Sequence, residues 1–219
     1  MGFNVVPMTN PPSAPFTDPA GTWNSRFEGD GFHFGTAPNT WLVEHANLFR
    51  PGQRVLSVAD GEGRNSVWLA KRGLEVDAFD IAEVGVAKAR RFAAEQGVTV
   101  NFAVSDCDSY AWPEAHYDGV VAIFVQFADP AMRERLFANM KRALKPGGVL
   151  VLQGYTPKQL EYRTGGPRIA SHLYTVELLR KAFADMQVIE LRKYEAQLAE
   201  GTGHSGRSAL VGLIARRTG

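Results

Sequence analysis

The chain has one cysteine, Cys107, in 219 residues. A single thiol makes no internal disulfide and no multi-cysteine metal site, and it suits a reducing compartment. Charge of one sign is missing as well: 24 basic residues face 23 acidic ones, for a net charge of +1. No strong field draws in nucleic acid or an anionic membrane surface. No apolar run reaches the length of a membrane span. The opening residues lack the basic start and apolar stretch of a secretory signal, and Val6 stands where a myristoylation signal wants Ser or Thr. The sequence therefore reads as a soluble, cytoplasmic protein with no nucleic-acid or membrane partner. His33, His45, His116, His172 and His204 include no pair at the close helical spacing of a metal site, so no metal is expected.

What is present is an ordinary globular composition, 45% hydrophobic, enough for one sizeable core. Pro7, Pro11, Pro12, Pro15 and Pro19 mark residues 1–22 as an extended, flexible leader, and residues 23–219 read as a single domain. Short apolar runs then alternate with helical stripes. Strands are expected at Val55–Ala59, Leu74–Phe79, Val98–Val104, Gly119–Val125 and Val149–Gln153, with helices at 66–72, 84–96, 132–144 and 175–184. That order is the signature of an α/β, mostly parallel sheet flanked by helices. Val188–Lys193 and Ala209–Ala215 have no helix between them, so they pair as an antiparallel hairpin, and Gly201, Gly203 and Gly206 predict a long flexible tip.

The first strand runs into Asp60-Gly61-Glu62-Gly63-Arg64-Asn65 and then a helix. Glycine lets such a turn bend sharply and lets a ligand touch the main chain. Asp80 ends the next strand, where a carboxylate accepts hydrogen bonds from ribose hydroxyls; a helix N-cap is the plainer role for it. A dinucleotide sets its pyrophosphate against the loop and the helix start. Ser66 at the third small position, and the negative Glu62 between the glycines, disfavour that ligand. S-adenosylmethionine carries no phosphate and has a sulfonium cation, so an acidic loop is no obstacle to it.

These features resemble the class I S-adenosylmethionine-dependent methyltransferases. The glycine loop at 57–65, Asp80, Ser105-Asp106-Cys107 and Leu144-Lys145-Pro146-Gly147-Gly148 follow the family's order over residues 40–153, and the late hairpin resembles its reversed seventh strand. Gly61 through Ala70, with Trp23-Asn24-Ser25-Arg26-Phe27 and Gly31-Phe32-His33, are similar to the tellurite-resistance and thiopurine branch. Two positions depart: Ser57 replaces the usual acid and Ala59 the usual first glycine. The resemblance implies a Rossmann-like seven-stranded sheet with its last strand antiparallel, and S-adenosylmethionine as cofactor. Gly61 and Gly63 would approach its methionine portion, with Ala59 and Asn65 also among the cofactor contacts. Asp80 would hold the ribose, Ile81 would pack on adenine, and Asp106 and Cys107 would lie along the adenine edge. Ile123, Phe124 and Gln126 would face the sulfonium and the acceptor, with Trp23 and Phe27 closing over the top.

Cys107 lies between Asp106 and Asp108, which disfavour a thiolate, so it reads as structural rather than nucleophilic. Tyr155 to Arg168 hangs at the ligand-bearing end of the sheet. It is either a plain loop or a lid hinged at Gly165-Gly166, with Arg163 and Arg168 holding an anion. Tyr155 and His204 are placed near the acceptor and His33 among the substrate contacts. The sequence thus points to methyl transfer to a small acceptor, a soft sulfur, selenium or tellurium nucleophile. A nicotinamide-dependent oxidoreductase and a catalytically silent S-adenosylmethionine-binding module are the alternatives.

Overall fold

The structure is a computed structural model that describes residues 17–219. Most of the expected leader, residues 1–16, lies outside the described residues. The rest of it is not extended: helix α1 spans Pro19–Phe27. Asp18 accepts the Gly21 N–H at 2.9 Å, and Pro19 stands at the helix start, where its missing N–H costs nothing.

The chain continues through α2 (Thr40–Glu44), β1 (Arg54–Val58), α3 (Arg64–Lys71), β2 (Glu75–Asp80), α4 (Glu83–Glu95), β3 (Asn101–Val104) and β4 (Tyr117–Ile123). It then forms α5 (Pro130–Ala143), β5 (Leu144–Tyr155), α6 (Gln159–Tyr162), α7 (Val176–Ala182), β6 (Met186–Glu200) and β7 (His204–Arg217). The third strand begins later than Val98, because the Val98 N–H turns back to the Ala93 carbonyl and closes α4 beside Gly97 at φ +67°.

The strands form one seven-stranded sheet in the order β3-β2-β1-β4-β5-β7-β6. Neighbours from β3 to β5 are parallel, and β7 runs antiparallel to both β5 and β6. Only β7 is therefore reversed, as the sequence pattern implied. Alternate residues on each strand face opposite layers. Leu56, Val120, Leu150, Leu152 and Leu213 pack with Leu136, Phe137 and Met140 of α5 and Leu179 of α7. Val55, Val121, Val149, Val151 and Ile214 pack on the other face with Trp41, Leu42 and Leu69. Trp41 lies so close to β7 that a Cβ at Gly212 would sit 2.4 Å from its ring.

The hairpin differs from expectation. Pairing extends from Met186↔Arg217 to Glu200↔His204, so the join is only residues 201–203 and Gly206 lies inside β7. Tyr194, Ala196 and Leu198 pack against the cluster of Tyr155, Leu173 and Leu210, and this extends the pairing beyond the apolar run. The tip is also anchored, since the Thr202 and Gly203 N–H groups both donate to the His33 carbonyl.

The segment 17–36 is bound to the domain by buried charge. Lys88 on α4 donates to the Phe27 carbonyl at 2.9 Å and to the Gly31 carbonyl, and it pairs with Glu62 at 2.5 Å. The other Glu62 oxygen accepts the His33 N–H at 2.7 Å. Asn24 accepts the Val84 N–H at 3.0 Å, which caps α4 from α1. In Lys88→Met the Glu62 carboxylate loses its cation, a loss worth about 3 kcal/mol or more for a buried pair. Amide hydrogen exchange at residues 24–34 should then accelerate by about a hundredfold, with the central strands unchanged. Equal exchange in variant and wild type would show that Lys88 does not hold this segment.

Candidate active site

The candidate site lies at the carboxyl ends of β1, β2, β4 and β5, where the order of parallel strands reverses between β1 and β4. Its floor is the loop after β1. Ala59, Gly61 and Gly63 adopt φ of +49°, +61° and +90°. Ala59 bears the strain that the family's usual glycine avoids, about 1 kcal/mol. At Gly63 a Cβ would sit 2.8 Å from the Ala89 Cβ, so only glycine lets α3 approach α4.

The acid absent at position 57 reappears at Asp60. Ser57 Oγ donates to it at 2.6 Å, and Ser66 donates through both its N–H and its hydroxyl. Burial raises the Asp60 pKa to about 6, against the pull of these hydrogen bonds. Glu62, expected as free negative charge facing a ligand, is instead committed to Lys88 and the His33 N–H.

Asp80 is buried at the end of β2. One carboxylate oxygen accepts the Gly61 N–H at 2.9 Å and the other accepts the Ala82 N–H at 2.8 Å. Burial pushes its pKa up, while these N–H groups pull it down. Asp80 is not the N-cap expected of it, since α4 starts at Glu83 behind Ala82, and each of its oxygens keeps a second lone pair. Ile81 beside it is half-buried. Asp106 turns onto its own loop, accepting the Asp108 N–H, the Ser109 N–H and the Ser109 hydroxyl. Partial burial opposes ionisation there, yet these donors hold its pKa below the usual carboxylate range. Cys107 is buried, and burial, helped by Asp80, Asp106 and Asp108, pushes its thiol up to about 12. A structural thiol was expected, and these are its surroundings.

The roof comes from segment 17–36 and the hairpin tip. Trp23 stacks on Phe27 at 5.6 Å, and Phe27 Cζ lies 3.3 Å from where a Gly61 Cβ would be. Phe34, His204, Phe124 and Tyr155 form a continuous ring stack. Phe34 and His204 are 4.5 Å apart, His204 and Phe124 4.2 Å, and Phe124 and Tyr155 4.7 Å. Phe124 is held at φ +57°, and Ile123 beside it packs in the apolar layer with Trp41. Tyr155 Oη and His204 Nδ1 are 2.6 Å apart. Burial, then the charge of Arg64, drives the His204 pKa down to about 3. Burial raises that of Tyr155. His33 meets Phe34 edge-on at 4.6 Å, and burial lowers its pKa.

Several other expected site residues are placed differently. Gln126 donates to the Tyr155 and His172 carbonyls and accepts the Tyr155 N–H, so its amide is fully occupied in fixing the end of β5. Gly165 and Gly166 are not a free hinge: a Cβ on either would sit 2.8 or 2.5 Å from the Tyr155 side chain, and Gln159 donates to the Gly165 carbonyl. Arg163 and Arg168 are exposed and share no hydrogen bond, ion pair or ring contact with the stack among the described residues. Asn65 Oδ1 accepts the Asn39 N–H at 3.0 Å and so ties α3 to the start of α2.

Sequence reasoning missed a buried polar cluster beside the stack. Arg64 and Glu200 pair at 2.9 Å, and Asn39 donates to Glu200 at 3.0 Å and to Gln153 at 2.7 Å. Arg64 follows the glycine loop directly, which was its one sequence signal. Glu200 had none, because it reaches the site only through the length of β6. Among the described residues no cluster of His, Cys, Asp or Glu could hold a metal ion, and no helix is long and apolar enough to cross a membrane.

Residues 55–148 match the family profile described as a methyltransferase domain. Over that stretch the chain is similar to methyltransferase domains. A demethylmenaquinone methyltransferase of Thermus thermophilus is 34% identical over 112 residues, 50% of this chain and 50% of that protein. The chain thus spans about half the length of the curated relatives it matches. Among solved structures, TehB from Haemophilus influenzae superposes with a TM-score of 0.69 at 21% identity, covering 84% of this chain and 63% of that one. A protein from the conversion of a disulfide bond into a thioacetal group during echinomycin biosynthesis gives a TM-score of 0.73 at 17% identity, with 91% and 92% covered. These structural likenesses show the fold.

S-adenosylmethionine is the cofactor of this domain class, and the crevice fits it. Gly61 and Gly63 form a cradle that side chains would fill, and Asp80 offers paired lone pairs for a diol. Asp80→Ala should weaken binding of S-adenosylmethionine and of S-adenosylhomocysteine alike, by about 2–3 kcal/mol for a lost charge-assisted pair of hydrogen bonds. Calorimetry showing unchanged affinity would remove Asp80 from the binding site.

Proposed function

We propose that the chain transfers the methyl group of S-adenosylmethionine to a small acceptor that is already a good nucleophile: a thiolate, or a selenium or tellurium oxyanion. When bound, S-adenosylmethionine supplies a methyl group on a sulfonium: the acceptor's lone pair forms the new bond to carbon as the carbon–sulfur bond breaks and its electron pair stays on sulfur. The protein's part is to align the acceptor and to exclude water.

The observation that carries this reading is the state of His204. It is sandwiched between Phe34 and Phe124 with a pKa near 3, so it stays neutral and is a poor proton acceptor at neutral pH. Tyr155 beside it is raised and keeps its proton. Asp60, near 6, has its oxygens committed to Ser57 and Ser66. An acceptor that arrives ionised brings no proton to remove, which suits a pocket of this kind. Phe124 and His204 form its wall, Tyr155 orients His204, and Trp23 and Phe27 close the roof. Cofactor contacts fall to Ala59, Gly61, Gly63, Asp80, Ile81 and the Asp106–Cys107 turn, with Ile123 nearest the transfer point. The resemblance of Gly61 through Ala70 and of Trp23 through Phe27 to the tellurite-resistance and thiopurine branch agrees with this reading.

The relative named demethylmenaquinone methyltransferase favours a second reading, a quinone-type ring lying on the aromatic stack and methylated at carbon. The pH profile separates the two. With a thiol acceptor, turnover should rise with pH through the thiol's own pKa and then stay flat. His204 adds no inflection above about pH 4, because it is already neutral there. His204→Ala and His33→Ala should retain kcat within about tenfold. A fall of about a hundredfold or more in labelled-methyl transfer, with the cofactor still bound, is the scale of general-base loss and would replace this reading with one that needs a base.

A further inference from the structure

The charge that reads the acceptor is not on the exposed arginines. We infer that Arg64, with Glu200 as its resident counterion, is the anion-binding group of the acceptor site, and that the preferred acceptor carries an anionic group beside its soft nucleophilic atom. This rests on the proposal of a soft small acceptor and names the group that selects it.

Arg64 is 6% exposed and Glu200 8% exposed. A buried guanidinium ordinarily satisfies most of its five donors. Here Nη1 lies 2.9 Å from Glu200 Oε2, and among the described residues no hydrogen bond is found for the rest of the guanidinium. Glu200 is held from its other side by Asn39. The carboxylate is therefore fixed, while the guanidinium keeps an unused fork. Its surroundings place that fork at the acceptor side of the crevice. Arg64 Cζ is 6.0 Å from the Phe34 ring, and its charge acts on both His204 and Tyr155. Through Gly63 it is joined to the cofactor loop, and through Glu200 to the hairpin tip.

A planar carboxylate or oxyanion fits the open edge of a guanidinium better than that of an ammonium.

The test uses the full chain saturated with S-adenosylhomocysteine, and two probes of matched shape: 2-mercaptobenzoate and 2-mercaptobenzamide. Affinities are read by calorimetry, so turnover is not needed. Wild type should favour the acid by about tenfold or more. The double variant Arg64→Met with Glu200→Gln removes both charges and leaves no lone buried carboxylate. It should bind the two probes equally while still binding S-adenosylhomocysteine, which reports that the fold is intact. If it does not fold, Arg64→Lys, which keeps Glu200 paired but loses the planar fork, should lower the preference for the acid several-fold. A variant that still favours the acid, or a selective loss in Arg163→Ala or Arg168→Ala instead, overturns the assignment. So does a wild type that binds both probes without preference, in which case the soft-acceptor reading stands. A wild type that binds S-adenosylhomocysteine but neither thiol sinks both.

Discussion

The crevice depends on one buried hydrogen-bonded carboxylate, Asp80. It ends β2, caps the turn into α4 through the Ala82 N–H and holds the glycine loop of β1 through the Gly61 N–H. Two parallel strands and the loop between them and their helices are thereby fixed by one side chain. A buried carboxylate is costly unless donors surround it, and here the donors are the backbone groups that must be positioned for a ligand. The same atoms that stabilise the charge therefore set the shape of the glycine loop.

Charge is handled the same way elsewhere. Glu62 would make the loop strongly acidic, but Lys88 neutralises it and uses its remaining donors on the Phe27 and Gly31 carbonyls. A buried pair of this kind gives little net stability; its effect is to place the aromatic roof. Phe27 then lies on Gly61, and Phe34 lies on His204. His204 is kept neutral by the burial that this roof completes.

The alternation of strands and helices, the reversed last strand and the glycine loop were legible in the sequence because each is a local pattern of period, turn residue or cap. Asp80 was legible by its place at a strand end. Gln126 was misread because its neighbours in sequence face the site, while its own amide is captured by a carbonyl 46 residues away. Arg64 and Glu200 were not legible as a pair, since their meeting depends on a hairpin whose strands run well past the apolar run. The hairpin tip was misread for a related reason: three glycines look flexible in sequence, yet two of the tip's N–H groups are bound to the His33 carbonyl. Polar clusters assembled across long separations leave no periodic trace.

The central claim is that this crevice holds the cofactor beneath the aromatic roof. A crystal structure of the chain with S-adenosylhomocysteine tests it most directly. The account predicts both ribose hydroxyls within hydrogen-bond distance of the Asp80 carboxylate, the methionine portion along Gly61 and Gly63, and the Phe27 ring moved off Gly61 to cover the ligand. A ligand bound elsewhere, or an Asp80 carboxylate that touches no ligand atom, would contradict it.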